Sequence, residues 1–389
     1  MGSGYGEWAL IELEALAPAP PVWDGRQILH SMHTSNNFDA LRLLAALGVW
    51  LSHGMFLYDG QSPSFLAGTQ SIGSACVLVF FCISGYVIQQ SLQRNHDVRF
   101  FFSRRVARIL PGLWAAAAFS VFVVGWLATT LDSAAYWHNS QVWTTFINYA
   151  SARALAHELP GVFTHNHFAY SVNGALWTIK YELLLYVLLY VFARATHRHA
   201  GWAMAALLLA LACLLLGRAW QVQIGWWGLQ DLLVFGFAFF MGAGLNLLQA
   251  HRCRGSTLLA LALLAWLATY GVAAIGAKTL LFVVAVALGT LALALRTPAL
   301  RLRNDLSYGV YVYAFPIQQG VTQMAMQQQW PKLVCLGVSL LLVLLVAWLS
   351  WRYLEQPALR KVQRYSQRWR GRHATDAAPA GTQRAGTAH

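Results

Sequence analysis

Windows of about 20 apolar residues recur along almost the whole chain, and no other feature constrains its fold as strongly. They fall at 38–58, 72–92, 106–127, 172–192, 201–218, 226–248, 256–273, 278–296, 306–327 and 332–353. A chain of 389 residues, 58% hydrophobic and 11% charged, has too little polar surface to hide so many such stretches in a water-soluble core. The pattern predicts an all-α polytopic membrane protein with about ten transmembrane helices, since a helix satisfies its own backbone hydrogen bonds inside lipid.

The 27 Lys and Arg residues test that count and orient it. Twenty fall in alternate connections or in the tail. These are Arg94, Arg99, Arg104, Arg105 and Arg108 between spans two and three, Arg194 and Arg198 after span four, and Arg252 and Arg254 after span six. Arg296, Arg301 and Arg303 follow span eight, and the rest run from Arg352 to Arg384. Only Arg153, Arg218, Lys278 and Lys332 fall on the opposite side. Under the positive-inside rule both termini are cytoplasmic, and a span missed or added would scramble the alternation. The net charge of +13 is therefore topological, with membrane lipids as its partners, and marks no nucleic-acid ligand.

Residues 1–37 read as a loose cytoplasmic extension without the basic start and apolar middle of a signal peptide. The membrane unit covers 38–355, and 356–389 reads as a basic cytoplasmic tail, disordered beyond His373 where Ala, Gly, Thr and Pro take over. The five cysteines show no metal-ligand spacing, so neither a disulfide nor a metal is expected. In the longest outer loop, 128–171, His138, His157, His165 and His167 read as loop surface.

Ionisable groups within the spans are costly and tend to mark function. Arg42 and His53 share the first span, and eleven residues bring a helix back to within about 20° of its starting direction, so both project from one face. They are also about 16 Å apart along the axis, too far to touch. Glu182, in span four, is expected near the midplane between their two levels, within reach of either. Lys180 points away from Glu182. The plainer accounts are an Asp39–Arg42 pair one turn apart and an interfacial histidine. At the start of span three Arg104, Arg105 and Arg108 cluster, with Arg105 and Arg108 on one face, a geometry suited either to clamping phosphate oxygens or to anchoring in lipid headgroups.

Six segments in order resemble acyltransferase family 3, integral membrane O-acyltransferases that modify bacterial glycans. They are Asp39 to Arg42 through Ser52-His53-Gly54, the Phe-rich run ending in Ser84-Gly85-Tyr86, and Arg104-Arg105 through Arg108 to Pro111. Leu176-Trp177-Thr178 to Glu182, Ser307-Tyr308-Gly309 to Pro316, and Glu355-Gln356-Pro357 complete the set. The likeness covers about residues 37–360. Many members carry a His before the last aromatic and Pro of the late motif, where this chain has Ala314-Phe315-Pro316, and the soluble hydrolase-like domain of some members has no room in the tail.

The resemblance implies a cytoplasmic acyl-CoA donor, above all acetyl-CoA, and a hydroxyl acceptor on an envelope polysaccharide or lipid-linked sugar, in a bacterial cytoplasmic membrane and with envelope-biosynthesis partners. A histidine titrates near pH 6.5, which suits His53 as the general base, or alternatively as a transient acyl carrier. Arg105 and Arg108, with Arg104, are then candidates to hold CoA phosphates. Arg42 would act on the donor side, Glu182 would orient His53, stabilise its charged form or neutralise Arg42, and Ser84, Trp177 and Tyr308 would line the path. The competing class is a transporter or flippase of a sugar or acylated precursor, against which stand the lack of an internal repeat and of paired Gly/Pro-broken helices.

Overall fold

The computed structural model describes residues 36–376 except 62–63, 66–69, 95–96, 154–157, 197–198, 218–222, 225–226, 299 and 301. The expected N-terminal extension, apart from Asn36 and Asn37, therefore lies outside the described residues, as do His157, Arg198, Arg218, Arg301 and everything beyond Asp376.

The chain is an all-α polytopic membrane protein. Strands among the described residues are confined to two short antiparallel hairpins, Ser64–Phe65 with Gln70–Ser71 and Gln223–Ile224 with Trp227–Gly228. Helices occupy all ten predicted windows: α1 (Phe38–Asp59), α2 (Ile72–Arg94), α3 (Val98–Ala118), and, after two short helices α4 (Ser133–His138) and α5 (Ser140–Ala150), α6 (Ile179–Ala195). There follow α7 (Ala200–Leu216), α8 (Leu229–Leu247), α9 (Gly255–Gly271), α10 (Ile275–Arg296), α11 (Ser307–Gln327) and α12 (Lys332–Ser350). Seven helical stretches among the described residues are long and apolar enough to cross a membrane: Phe38–Asp59, Ile72–Arg94, Val98–Ala128, Leu176–Ala195, Leu229–Leu247, Ile275–Leu295 and Lys332–Tyr365. The other three windows differ for two reasons. α7 and α9 are only 17 residues long, whereas α11 carries Gln318, Gln319 and Thr322, all buried inside the bundle as polar groups in lipid must be.

Packing centres on α2, which touches α1, α6, α8 and α10, and on α11, which touches α1, α3 and α12. The α2–α8 contact depends on glycine. A Cβ at Gly85 would lie 1.8 Å from the Phe239 carbonyl oxygen, and one at Gly242 would lie 2.1 Å from that of Cys82. Helices in lipid associate through such close approach of backbones, because burial of apolar surface no longer drives them together.

One expectation needs correcting. Span four does not begin as a helix at 172: regular helix starts at Ile179, after a short 3-10 turn at Leu176–Thr178. The preceding chain is irregular but well satisfied, with Asn173 donating to Ser120 Oγ (3.0 Å) and the Val312 carbonyl (2.9 Å), and Gln319 donating to the carbonyls of Phe168 and Ser171. Non-helical backbone at membrane depth is tolerated where protein surrounds it in this way. A π-helical stretch, Trp351–Glu355, carries α12 without a break into a further helix, α13 (Gln356–Asp376), so the tail is helical past His373.

The start of α1 and the connection after α10 meet at one end of the bundle, where Asn37 bonds Thr297, Pro298 and Leu300. At the opposite end Lys332 pairs with Asp59 at 2.8 Å, and His167 rests on Gly60 with its Nδ1 3.3 Å from the Leu57 carbonyl. His138, His165 and His167 are exposed.

Candidate active site

At the basic end a cavity of about 1070 Å³ runs inward between α2, α3, α6, α11 and α13. Among the described residues five arginines line it, Arg42, Arg94, Arg104, Arg105 and Arg108, against a single carboxylate, Glu182. Its rim is exposed at Arg94, Gln363 and Gln367, whereas Ser84, Thr178 and Tyr311 at its inner end are buried. Arg42 and Arg108 each have an aspartate partner, and the remaining three arginines still outnumber the one carboxylate of the lining, which makes a site for an anion with several negative groups.

The two arginines expected to act together differ. Both face the cavity, but Arg108 Nη2 is 2.6 Å from Asp305 Oδ2, and Asp305 Oδ1 accepts from the Ser307 hydroxyl at 2.6 Å. Burial by itself raises the Asp305 carboxyl; the Arg108 guanidinium and the Ser307 hydrogen bonds outweigh it and hold the group below the usual carboxylate range. Arg105 has no such partner. Its guanidinium lies over the rings of Phe101 and Tyr186, at 5.6 and 5.8 Å, and its buried Nε has no hydrogen-bond acceptor. Arg104 stacks on Phe100 at 4.9 Å. Arg42 forms the expected pair with Asp39, at 3.3 Å, and still lines the cavity.

Glu182 sits in the first turn of α6, where the helix N-terminus favours a negative charge. Its Oε1 accepts hydrogen bonds from Ser84 Oγ (3.2 Å) and from the Tyr186 hydroxyl one turn along the same helix. Glu182 therefore does not stand between Arg42 and His53, nor does it orient the histidine. The close contacts of Gly48 with Cys76 and of Gly73 with Ser52 fix the register of α1 against α2. In that register Ser84 is level with the Arg42 region, so Glu182 belongs to the arginine level. The depth expected from the sequence failed because it counted helix from residue 172.

The same register puts His53 level with Ile72, while the cavity reaches inward only to Val77, about 7.5 Å short of it along the helix axis. At the inner end of the cavity the Thr178 and Tyr311 hydroxyls meet at 2.6 Å, and Phe80 packs on Tyr311 with ring centroids 5.5 Å apart. His53 is half-buried, stands edge-on to Phe315 at 5.2 Å, and its Nδ1 is shut from solvent without a hydrogen-bond partner. The Gln318 amide beside it donates to the Trp50 carbonyl at 2.7 Å and leaves its own Oε1 unpartnered. Tyr308 lines the cavity, anchored by its hydroxyl to the Ile109 carbonyl at 2.8 Å. Trp177 does not line it; the ring packs on Tyr181 and Phe235.

Sequence reasoning missed Tyr186, Asp305, Thr178, Tyr311 and the whole contribution of α13. Tyr186 was accessible as the residue one turn after Glu182, and Leu359, Gln363 and Gln367 as one face of a helix. Asp305 carried no signal, being 197 residues from its partner.

No solved structure matches the chain. Among curated proteins it is similar to an O-acetyl transferase of Shigella phage Sf6, 31% identical over 342 residues, covering 85% of this chain and 98% of the relative. It is also similar to nodulation protein 10 of Rhizobium leguminosarum bv. viciae, 28% identical over 367 residues, covering 85% and 95%. A third likeness, 38% identity to the acyltransferase MdmB of Streptomyces mycarofaciens, spans 74 residues, 18% of this chain and 19% of that one. The family model described as an acyltransferase domain matches residues 35–352, which include the arginine cavity, Glu182 and His53 but not α13. The chain belongs to acyltransferase family 3 and is a membrane O-acyltransferase.

Proposed function

We propose that the protein takes an acyl group, above all acetyl, from acyl-CoA on the cytoplasmic side of a bacterial inner membrane. It delivers that group to a hydroxyl of an envelope polysaccharide or lipid-linked sugar on the outer side. The observation that carries this reading is the cavity itself: five arginines around an opening at the basic end, narrowing inward to hydroxyls and one carboxylate. Phosphates suit the arginines, and the inner end, lined by Val77, Phe80 and Ser84, suits a pantetheine arm ending in a small acyl group. The concentration of Lys and Arg at that end supports cytoplasmic termini and a cytoplasmic donor. The printed name of the phage relative supports acetyl.

In this mechanism Arg94, Arg104 and Arg105 hold the phosphates. Arg42, Ser84 and Glu182 surround the thioester as it binds, and the Arg42 charge holds its carbonyl before the acyl end moves on to the histidine. The acceptor hydroxyl approaches from the outer end, where His53 takes its proton as the carbonyl carbon is attacked and the CoA thiolate departs. Reacting atoms must come within about 3.5 Å, so the Phe80, Tyr311 and Thr178 closure has to part for the thioester to reach the histidine.

Purified protein in proteoliposomes, given acetyl-labelled acetyl-CoA and an envelope glycan fraction, tests the reading. Wild-type protein is expected to move label to the glycan; His53→Ala is expected to bind CoA normally and transfer nothing. Transfer retained in that variant would remove His53 from the mechanism.

A further inference from the structure

The C-terminal helix α13 has no role in the mechanism above. Its Leu359, Gln363 and Gln367 are spaced four residues apart, so they share one face, and that face is a wall of the cavity at its rim. Across from it Gln90 and Ser91 of α2 and Phe100 of α3 also line the cavity. The neighbouring basic residues of α13, Arg360, Lys361 and Arg364, are exposed and do not line it. A site for lipid headgroups would turn those charges inward; here the helix presents two carboxamides and a leucine instead.

A carboxamide offers a donor and an acceptor side by side, the pattern that pairs in a bidentate way with N6 and N7 of adenine. Leu359 and Phe100 supply apolar contact for the face of a purine, and Arg94, Arg104 and Arg105 stand next to them for phosphates. Resting on the donor reading above, we infer that α13 is the base-recognition wall of the donor site. Gln363 and Gln367, with Gln90 opposite, hold the adenine ring of the nucleotide at the rim while the acyl end lies inward.

Equilibrium binding to the full-length protein in nanodiscs tests this with three probes. They are acetyl-CoA, the acetyl-CoA analogue carrying hypoxanthine in place of adenine, and S-acetyl-4′-phosphopantetheine, which lacks the nucleotide. The double substitution Gln363→Ala with Gln367→Ala is expected to weaken acetyl-CoA binding about tenfold and to leave the other two unchanged. Unaltered acetyl-CoA affinity overturns the inference and leaves the donor cavity standing. An equal loss for all three probes also overturns it, since it assigns the glutamines a structural role. Wild-type protein that binds no acetyl-CoA overturns the donor reading and the inference with it.

Discussion

Arg105 and Arg108 stand one turn apart on α3 and face one cavity, yet their partners set them different tasks. Arg108 neutralises Asp305, so Arg108→Ala leaves a half-buried carboxylate without its ion-pair partner and is expected to destabilise the fold by about 1–3 kcal/mol, read as a lower melting temperature in detergent. Arg105→Ala removes a charge that no acidic side chain balances by contact, and is expected to weaken CoA binding while the melting temperature holds. The opposite split between the two variants would contradict the assignment. Because the Asp305 carboxyl is held below its ordinary value, its contribution to stability is fully present above the unfolded-chain pKa of about 3.9 and is lost as pH falls through the lower folded value. The difference in melting temperature between wild type and Asp305→Asn should therefore be constant from neutral pH down to about 5 and shrink only below about 4. At this scale the sequence showed the charges but not their pairing. Arg42 with Asp39 was readable because the partner is one turn away, whereas Arg108 with Asp305 joins distant parts of the chain.

Gly85 illustrates what elements add. The Ser84-Gly85 pair reads in sequence as a family mark, and the structure supplies its physics: Gly85 lets α8 touch α2, and the next side chain, Ser84, then faces the cavity and meets Glu182. Gly85→Ala is expected to force the two helices apart, costing about 1–3 kcal/mol and most of the activity. Gly337→Ala, whose Cβ would meet open space, serves as the control and should be silent in both assays. The windows, and with them the helices, were legible from hydropathy because lipid demands apolar length. The start of α6 was not, since residues 172–178 are apolar enough to pass for helix and are held irregular by contacts with the π-helical continuation of α3 (Phe119–Gly125) and with α11. In the proposed mechanism the hydroxyl contact between Thr178, just before α6, and Tyr311 on α11 is part of the closure that parts for transfer. Thr178→Val removes a hydrogen bond worth about 1 kcal/mol and is expected to change kcat for transfer while the Kd for CoA stays fixed. A change confined to Kd would make Thr178 a donor-binding residue and no part of the closure.

For the whole molecule, one end of the bundle gathers the arginines, the start of α1 and the face of α13, and the other holds His53 and the packed irregular segment before α6. The pair of Arg42 and His53 on α1 links these two ends, but the arginine opens to a cavity that stops short of the histidine. The charge alternation along the chain foretold this polarity. It could not foretell the closure, which joins side chains from α2, α11 and the turn before α6, nor the return of the tail to the mouth of the cavity. The central claim is that this cavity holds the donor and opens to the cytoplasm. Impermeant thiol labelling of Ser91→Cys, in a background with the five native cysteines replaced, tests both parts in oriented membrane vesicles. The account predicts labelling only from the cytoplasmic face, slowed about tenfold by acetyl-CoA at ten times its Kd. Labelling from the outer face, or a rate that acetyl-CoA does not change in protein still active for transfer, would contradict it.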